Sequence, residues 1–159
     1  WLLVRGQVWS DARAKAAAAT TPENALTEAV AAAAAAWNAA LALEVPPVAQ
    51  DSAAARARGA ALFNDPAVGC AACHGADGGG RGPLVWDAAR AAWLLEDAWG
   101  IPAKPRDLRS GQFHGGGRPE DLYLRLHAGV KGTPMPPAGS LLEPQQLWDL
   151  VSHVRSLSK

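Results

Sequence analysis

The chain is poor in sulfur, with two cysteines and one methionine in 159 residues. A structural zinc site needs four ligands, either all thiolates or two thiolates with two imidazoles. There is no third cysteine, and no two of the four histidines stand three to five residues apart. Excess charge of one sign is absent too. Fifteen Lys and Arg balance fifteen Asp and Glu at a pI near 7.1, which removes the basic footprint of a nucleic-acid binder. No uninterrupted apolar run is long enough for a spanning helix; the nearest, residues 29–43, is mostly alanine, contains Asn38 and lies between Glu28 and Glu44. No membrane span is expected in this sequence. With 49% apolar and 19% charged residues, the chain reads as a soluble globular protein rather than a disordered one.

What is there divides the chain in two. Alanine supplies 23 of the first 60 residues and 13 of the remaining 99. In the first region Thr21-Pro22-Glu23-Asn24 is a helix start, and Leu26, Val30, Ala33, Trp37 and Leu41 form one apolar stripe that ends before Pro46-Pro47. Residues 10–19 are a second helical candidate, and the two fit an antiparallel hairpin with its turn at Thr20-Thr21. The expected organisation is an Ala-rich helical extension over 1–50 and a second domain over 51–159. The chain opens at Trp1 without an initiator Met, so an upstream segment is expected to have been removed. Trp1-Leu2-Leu3-Val4 fits the stub of a signal or anchor helix and fits an ordinary helical turn equally well.

In the second region, residues 52–64 read as a short helix in which Gly59 has a purpose. A glycine inside a helix costs about 1 kcal/mol relative to alanine, so another backbone is expected to come close there. Residues 144–157, with Leu147, Trp148, Leu150, Val151, Val154 and Leu157 at helical spacing, supply the partner, and the two helices should cross. Residues 119–128 are a further helix, stopped by Gly129, and residues 87–98 another candidate. Strands are not expected, because no sustained period of 2 appears. The stretch between Gly69 and Gly139 is so rich in glycine and proline that it should need a non-protein group to fill its centre.

The two cysteines lie in Cys70-Ala71-Ala72-Cys73-His74, the attachment signature of c-type haem. Two thiols at this spacing can add to vinyl groups on neighbouring pyrroles, and the next residue, His74, then comes beneath the iron as an axial ligand. A redox dithiol would want a strand-to-helix setting, and a disulfide here would close too small a loop to stabilise much. For the sixth position the chain offers its one methionine, Met135. Pro134 and Pro136 flank it, so the side chain is presented from a stiff extended loop rather than from a helical core position. His114, His127 and His153 are the rival ligands.

These residues resemble the class I c-type cytochromes, the single-haem domains found free or as subunits of bacterial respiratory and molybdenum-enzyme systems. The resemblance covers roughly residues 53–157. It rests on the haem signature followed by Gly78-Gly79-Gly80-Arg81-Gly82-Pro83, on Pro105-Arg106-Asp107-Leu108, on Gly132-Thr133-Pro134-Met135-Pro136 and on Trp148-Asp149-Leu150-Val151. It implies an all-α cytochrome c fold, with first and last helices crossing around one covalently bound haem c. It also implies a Pro83 carbonyl that receives the His74 ring proton, and propionate partners among Trp99, Arg106 and Arg109. His153 departs from the pattern, standing where Tyr or Phe is expected.

The function so implied is electron transfer between protein redox partners, as a membrane-associated or complex-bound subunit of a bacterial electron-transport chain and not as an enzyme. A haem enzyme, or a gas or redox sensor with a labile sixth ligand, is the alternative. Covalent haem attachment is completed outside the bacterial cytoplasm, so a periplasmic protein is expected, anchored if at all through a segment upstream of Trp1.

Overall fold

The structure is a computed structural model that describes residues 27–32, 34–35 and 44–158. The chain forms two compact units, Trp1–Glu44 and Val45–Lys159. In the first, the described residues 27–32 and 34–35 are helical; Ala29 is buried, while Val30, expected on the apolar stripe, is exposed. The expected helix over 10–19, the turn at Thr20-Thr21 and the stripe positions Leu26, Ala33, Trp37 and Leu41 lie outside the described residues.

The second unit starts at Val45, not at residue 51, because Val45 and Ala49 pack against the core of the domain. Helix α1 is Ala53–Asn64, opened by Ser52, whose Oγ accepts a hydrogen bond from the Ala55 N–H at 3.1 Å. Helix α2 is the five-residue Cys70–His74. Helices α3, Pro119–Ala128, and α4, Pro144–Leu157, both begin with the proline that the sequence places at a first-turn position. Each also has a side chain at N3, Asp121 and Gln146, that accepts from the N–H of the capping residue.

Residues 87–98 do not form a helix. Strand β1, Trp86–Asp87, pairs antiparallel with β2, Ala92–Trp93, so a two-residue ribbon stands where no strand was expected. Two local forces override the helical pattern. The Asp87 carboxylate accepts the N–H groups of Ala89 and Arg90, and Ala91 takes a positive φ of 50°, which reverses the chain. The reversal lets Trp86 and Trp93 pair across the ribbon with ring centroids 4.9 Å apart.

The core lies between α1, α3 and α4, with Phe63, Leu147 and Leu150 almost completely buried. Helices α1 and α4 cross at Gly59, as expected. A Cβ there would lie 2.6 Å from the carbonyl carbon of Asp149 and 2.8 Å from the Cβ of His153. Beside the crossing, Arg58 forks onto the buried Asp149 carboxylate with bonds of 2.7 and 2.8 Å. Gly59→Ala should therefore destabilise the domain by about 1–3 kcal/mol through overpacking, read as a lower denaturant midpoint at unchanged slope.

His153 is buried in the same crossing, its ring 5.1 Å from that of Phe63 and its Nε2 without a partner. Burial pushes its pKa below the ordinary histidine value. The unfolded chain then takes up the proton first, so stability is fully present above about pH 6.5 and is lost as pH falls toward the depressed folded value. His153→Phe should raise stability by about 1 kcal/mol at neutral pH and by more at pH 5, so denaturant midpoints measured at the two pH values should converge in the variant.

Candidate functional site

Two glycines with positive φ, Gly69 at 79° and Gly75 at 77°, start and stop α2, so the cysteines and the histidine share a little over one helical turn. Cys70 and Cys73, three apart, lie on one face. Both are free thiols, half-buried, and burial pushes both pKa values up. That is the opposite of the activated thiolate a redox dithiol needs. Among the described residues no group of three or more His, Cys, Asp or Glu is arranged to hold a metal ion.

His74 Nδ1 lies 3.2 Å from the main-chain oxygen of Arg106. A carbonyl only accepts, so Nδ1 carries the proton and Nε2 carries the lone pair that binds a metal. Burial lowers the His74 pKa against the opposing pull of the Arg106 carbonyl, and the imidazole is held neutral, the form a ligand needs.

The acceptor is thus Arg106, not Pro83, which is exposed. The N–H groups of Gly80, Gly82 and Leu84 donate to the carbonyls of His74, Cys73 and Ala72 at 2.7, 2.9 and 2.9 Å, so this loop runs back along the end of α2. The 105–108 segment presses on the same glycines from the other side. Leu108 N–H donates to the Gly78 carbonyl at 2.8 Å, and a Cβ on Gly80 would lie 3.3 Å from the Arg106 carbonyl carbon.

Of the three expected propionate partners the structure leaves one with an open hydrogen-bonding demand. Arg109 gives Nε and Nη2 to Asp107 and Nη1 to Asp77. These bonds hold the exposed Asp107 carboxyl down at about 2 and push the guanidinium further up. It is a brace between two loops. Trp99 lies with its indole against Gly132. Arg106 touches His114 Nε2 through Nη2, while its Nε is buried with no partner.

Met135 is half-buried in a loop closed by its own backbone. Val130 N–H donates to the Met135 carbonyl at 3.1 Å, and Met135 N–H donates to Thr133 Oγ1 at 3.2 Å. After it, Ala138 and Gly139 N–H groups donate to the Leu126 and His127 carbonyls, which docks the loop onto the end of α3. The rival histidines are engaged elsewhere: His114 with Arg106, His153 in the helix crossing, and His127 stacked on Tyr123 at 6.1 Å, although its Nδ1 is buried without a partner.

The residues fit a covalently held haem c. Two neutral thiols and a neutral imidazole sit on one turn, and the buried Arg106 Nε–H lacks the acceptor that a propionate carboxylate would be. The main-chain acceptor at Arg106, the brace through Asp77 and the His114 contact were not foreseen. Backbone acceptors carry no side-chain signal in a sequence; only the glycines at 78–82 hint that two backbones meet there.

Fold and donor set together define a covalent haem-binding electron-transfer domain. The chain belongs to the cytochrome c family, which matches residues 56–158, and it binds haem c covalently. Among solved structures it is similar to a chain of the reducing HAO-like protein complex of Kuenenia stuttgartiensis, at 32% identity and a TM-score of 0.66. The match covers 74% of this chain and 50% of that one, so the chain spans half the length of that neighbour. No curated protein sequence matches.

Replacing one cysteine at a time by alanine should leave one thioether, with haem retained in acidic acetone and the pyridine haemochrome band moved to the red by one unreacted vinyl group. The double variant should lose all covalent haem, read by mass spectrometry.

Proposed function

We propose that the chain is a single-haem electron carrier in which Cys70 and Cys73 hold haem c through thioethers and His74 and Met135 are the axial ligands. Haem c supplies a single-electron couple between ferrous and ferric iron. The observation that carries the reading is the Cys70-Ala71-Ala72-Cys73-His74 turn with its histidine Nδ1–H on the Arg106 carbonyl. That bond fixes the tautomer and the ring plane, so His74 Nε2 does not have to reorient when the iron charge changes. The hydrogen-bonded loop and two flanking prolines restrict the Met135 backbone, which would hold its thioether in place for a bound haem iron. With Met135 on the sixth position a bound haem would have no open site for substrate, and this favours electron transfer over a haem enzyme or gas sensor. Arg106, with its unpartnered Nε–H, is the propionate partner.

The neighbour in Kuenenia stuttgartiensis is a chain of a protein complex, which supports a place for this domain as an electron-transfer subunit of a larger redox assembly. Among the described residues no helix is long and apolar enough to cross a membrane. A periplasmic location follows from where c-type haem is attached in bacteria.

The oxidised protein should be low spin and show the weak near-infrared sulfur-to-iron charge-transfer band. Met135→Ala should abolish the band, admit carbon monoxide and lower the reduction potential by roughly 0.1 V, a fraction of the ~0.8 V that axial ligation spans. Covalent attachment should persist. A wild type without the band, unchanged by this substitution, would move the ligand assignment to His114 or His127.

A further inference from the structure

The segment between the Gly-rich loop and Arg106 closes into a small hairpin that the haem motifs do not use. Ala103 N–H donates to the Leu95 carbonyl at 2.8 Å, and Glu96 pairs with Pro102. Its tip, residues 97–101, is tied by Asp97, whose Oδ1 accepts the N–H groups of Trp99 and Ile101 at 2.9 and 3.0 Å. Gly100, at φ 75°, completes the turn.

This tip reaches the loop that carries Met135 at one point and grips it twice. Ala98 N–H donates to the Gly132 carbonyl at 2.8 Å. The six-membered ring of Trp99 lies flush on the Cα of Gly132, where a Cβ would come 2.5 Å from Cη2 and 2.8 Å from Cζ3. Gly132 itself has a φ of 84°, so both its backbone and its lack of a side chain are needed for the contact. Trp99 is otherwise 59% exposed.

We propose that Trp99 is a positioning residue for Met135: the 95–103 hairpin is a strap whose indole and Ala98 N–H hold the 130–135 loop closed. The inference rests on the reading of Met135 as sixth ligand. Within that loop the bonds from Val130 N–H to Met135 O, from Thr133 N–H and Oγ1–H to Val130 O, and from Met135 N–H to Thr133 Oγ1 set the local turn. None of them ties the loop to the Gly-rich side of the domain. The strap supplies that tie, and it does so three residues from the thioether.

The test uses the full-length holoprotein. In Trp99→Ala, carbon monoxide should bind the ferrous protein about tenfold faster, the factor equivalent to ~1.4 kcal/mol of lost loop closure. The pH at which the sulfur-to-iron band disappears should fall by about one unit, the same free energy on a titration scale. Amide exchange at Val130, Thr133 and Met135 should quicken, while exchange in α1 and α4 and the covalent haem stay as in the wild type. Trp99→Phe should restore most of each change. If Trp99→Ala does not accumulate as holoprotein, Asp97→Ala, which releases the tip but keeps the indole, should give the same pattern. Wild-type carbon monoxide kinetics, band stability and loop exchange in Trp99→Ala and Asp97→Ala would overturn the proposal alone. A wild type that lacks the band would overturn the Met135 assignment, and the proposal with it.

Discussion

The hydrogen bond from His74 Nδ1–H to the Arg106 carbonyl is the contact that the backbone around the haem motif is arranged to make. A side chain at the end of a five-residue helix can reach a main-chain acceptor 32 residues later only if the two stretches run against each other without intervening side chains. That is what Gly78, Gly80 and Gly82 permit. A Cβ on Gly82 would lie 2.6 Å from the Ala71 oxygen, and one on Gly80 would lie 3.3 Å from the Arg106 carbonyl carbon. The Arg109 fork onto Asp107 and Asp77 then braces the two loops at the surface. Exposed ion pairs of this kind add little stability, so the brace selects an arrangement rather than supplying much energy.

The segment around Met135 is built by a different device. Its loop gains rigidity from proline and from short backbone rings rather than from backbone apposition, and it is fastened to α3 at its far end. The carbonyl of Met135 sits over Gly129, the residue that ends α3, where a Cβ would come 2.7 Å from it. Both candidate ligands are therefore carried by main chain that has few alternative conformations. A centre that gains and loses one electron without moving its ligands has little reorganisation to supply, which is the physical requirement for an electron carrier.

How much of this was legible in the sequence depended on whether the responsible force was local. Helices α3 and α4 have the bounds expected from Pro119, Gly129 and Pro144, because caps and periodicity are encoded within the element. The crossing at Gly59 was legible for a similar reason, since a helix-interior glycine is a cost that only a close neighbour explains. The ribbon at Trp86–Asp87 and Ala92–Trp93 was not, because an Ala-rich segment with helical composition yields to one Asp that captures two N–H groups and to a tryptophan pair formed only after the chain reverses. The start of the domain at Val45 was hidden by composition: the Pro46-Pro47 break looks like a linker, yet the residues on either side of it bury apolar surface against the core. The acceptor for His74 was misassigned because a resemblance carries over side chains and positions, whereas a carbonyl is available at every residue.

Charge gives the last constraint. The ferric centre carries one more positive charge than the ferrous, so every uncompensated cation nearby favours reduction and every carboxylate opposes it. Arg109 is neutralised by two acids and Arg58 by Asp149, and Arg118 is paired with Asp121. Arg106 has no carboxylate partner among the described side chains; it meets His114 and keeps a buried Nε–H without an acceptor. Its main chain is also the one that touches His74. The same residue thus orients the His74 imidazole through its carbonyl and carries a guanidinium with no carboxylate partner among the described side chains. Pairing that charge with a propionate would satisfy the buried donor and hold the haem carboxylate ionised, so that the two groups cancel in the field at the iron. With that charge answered, the choice of axial ligands would be left to set the potential.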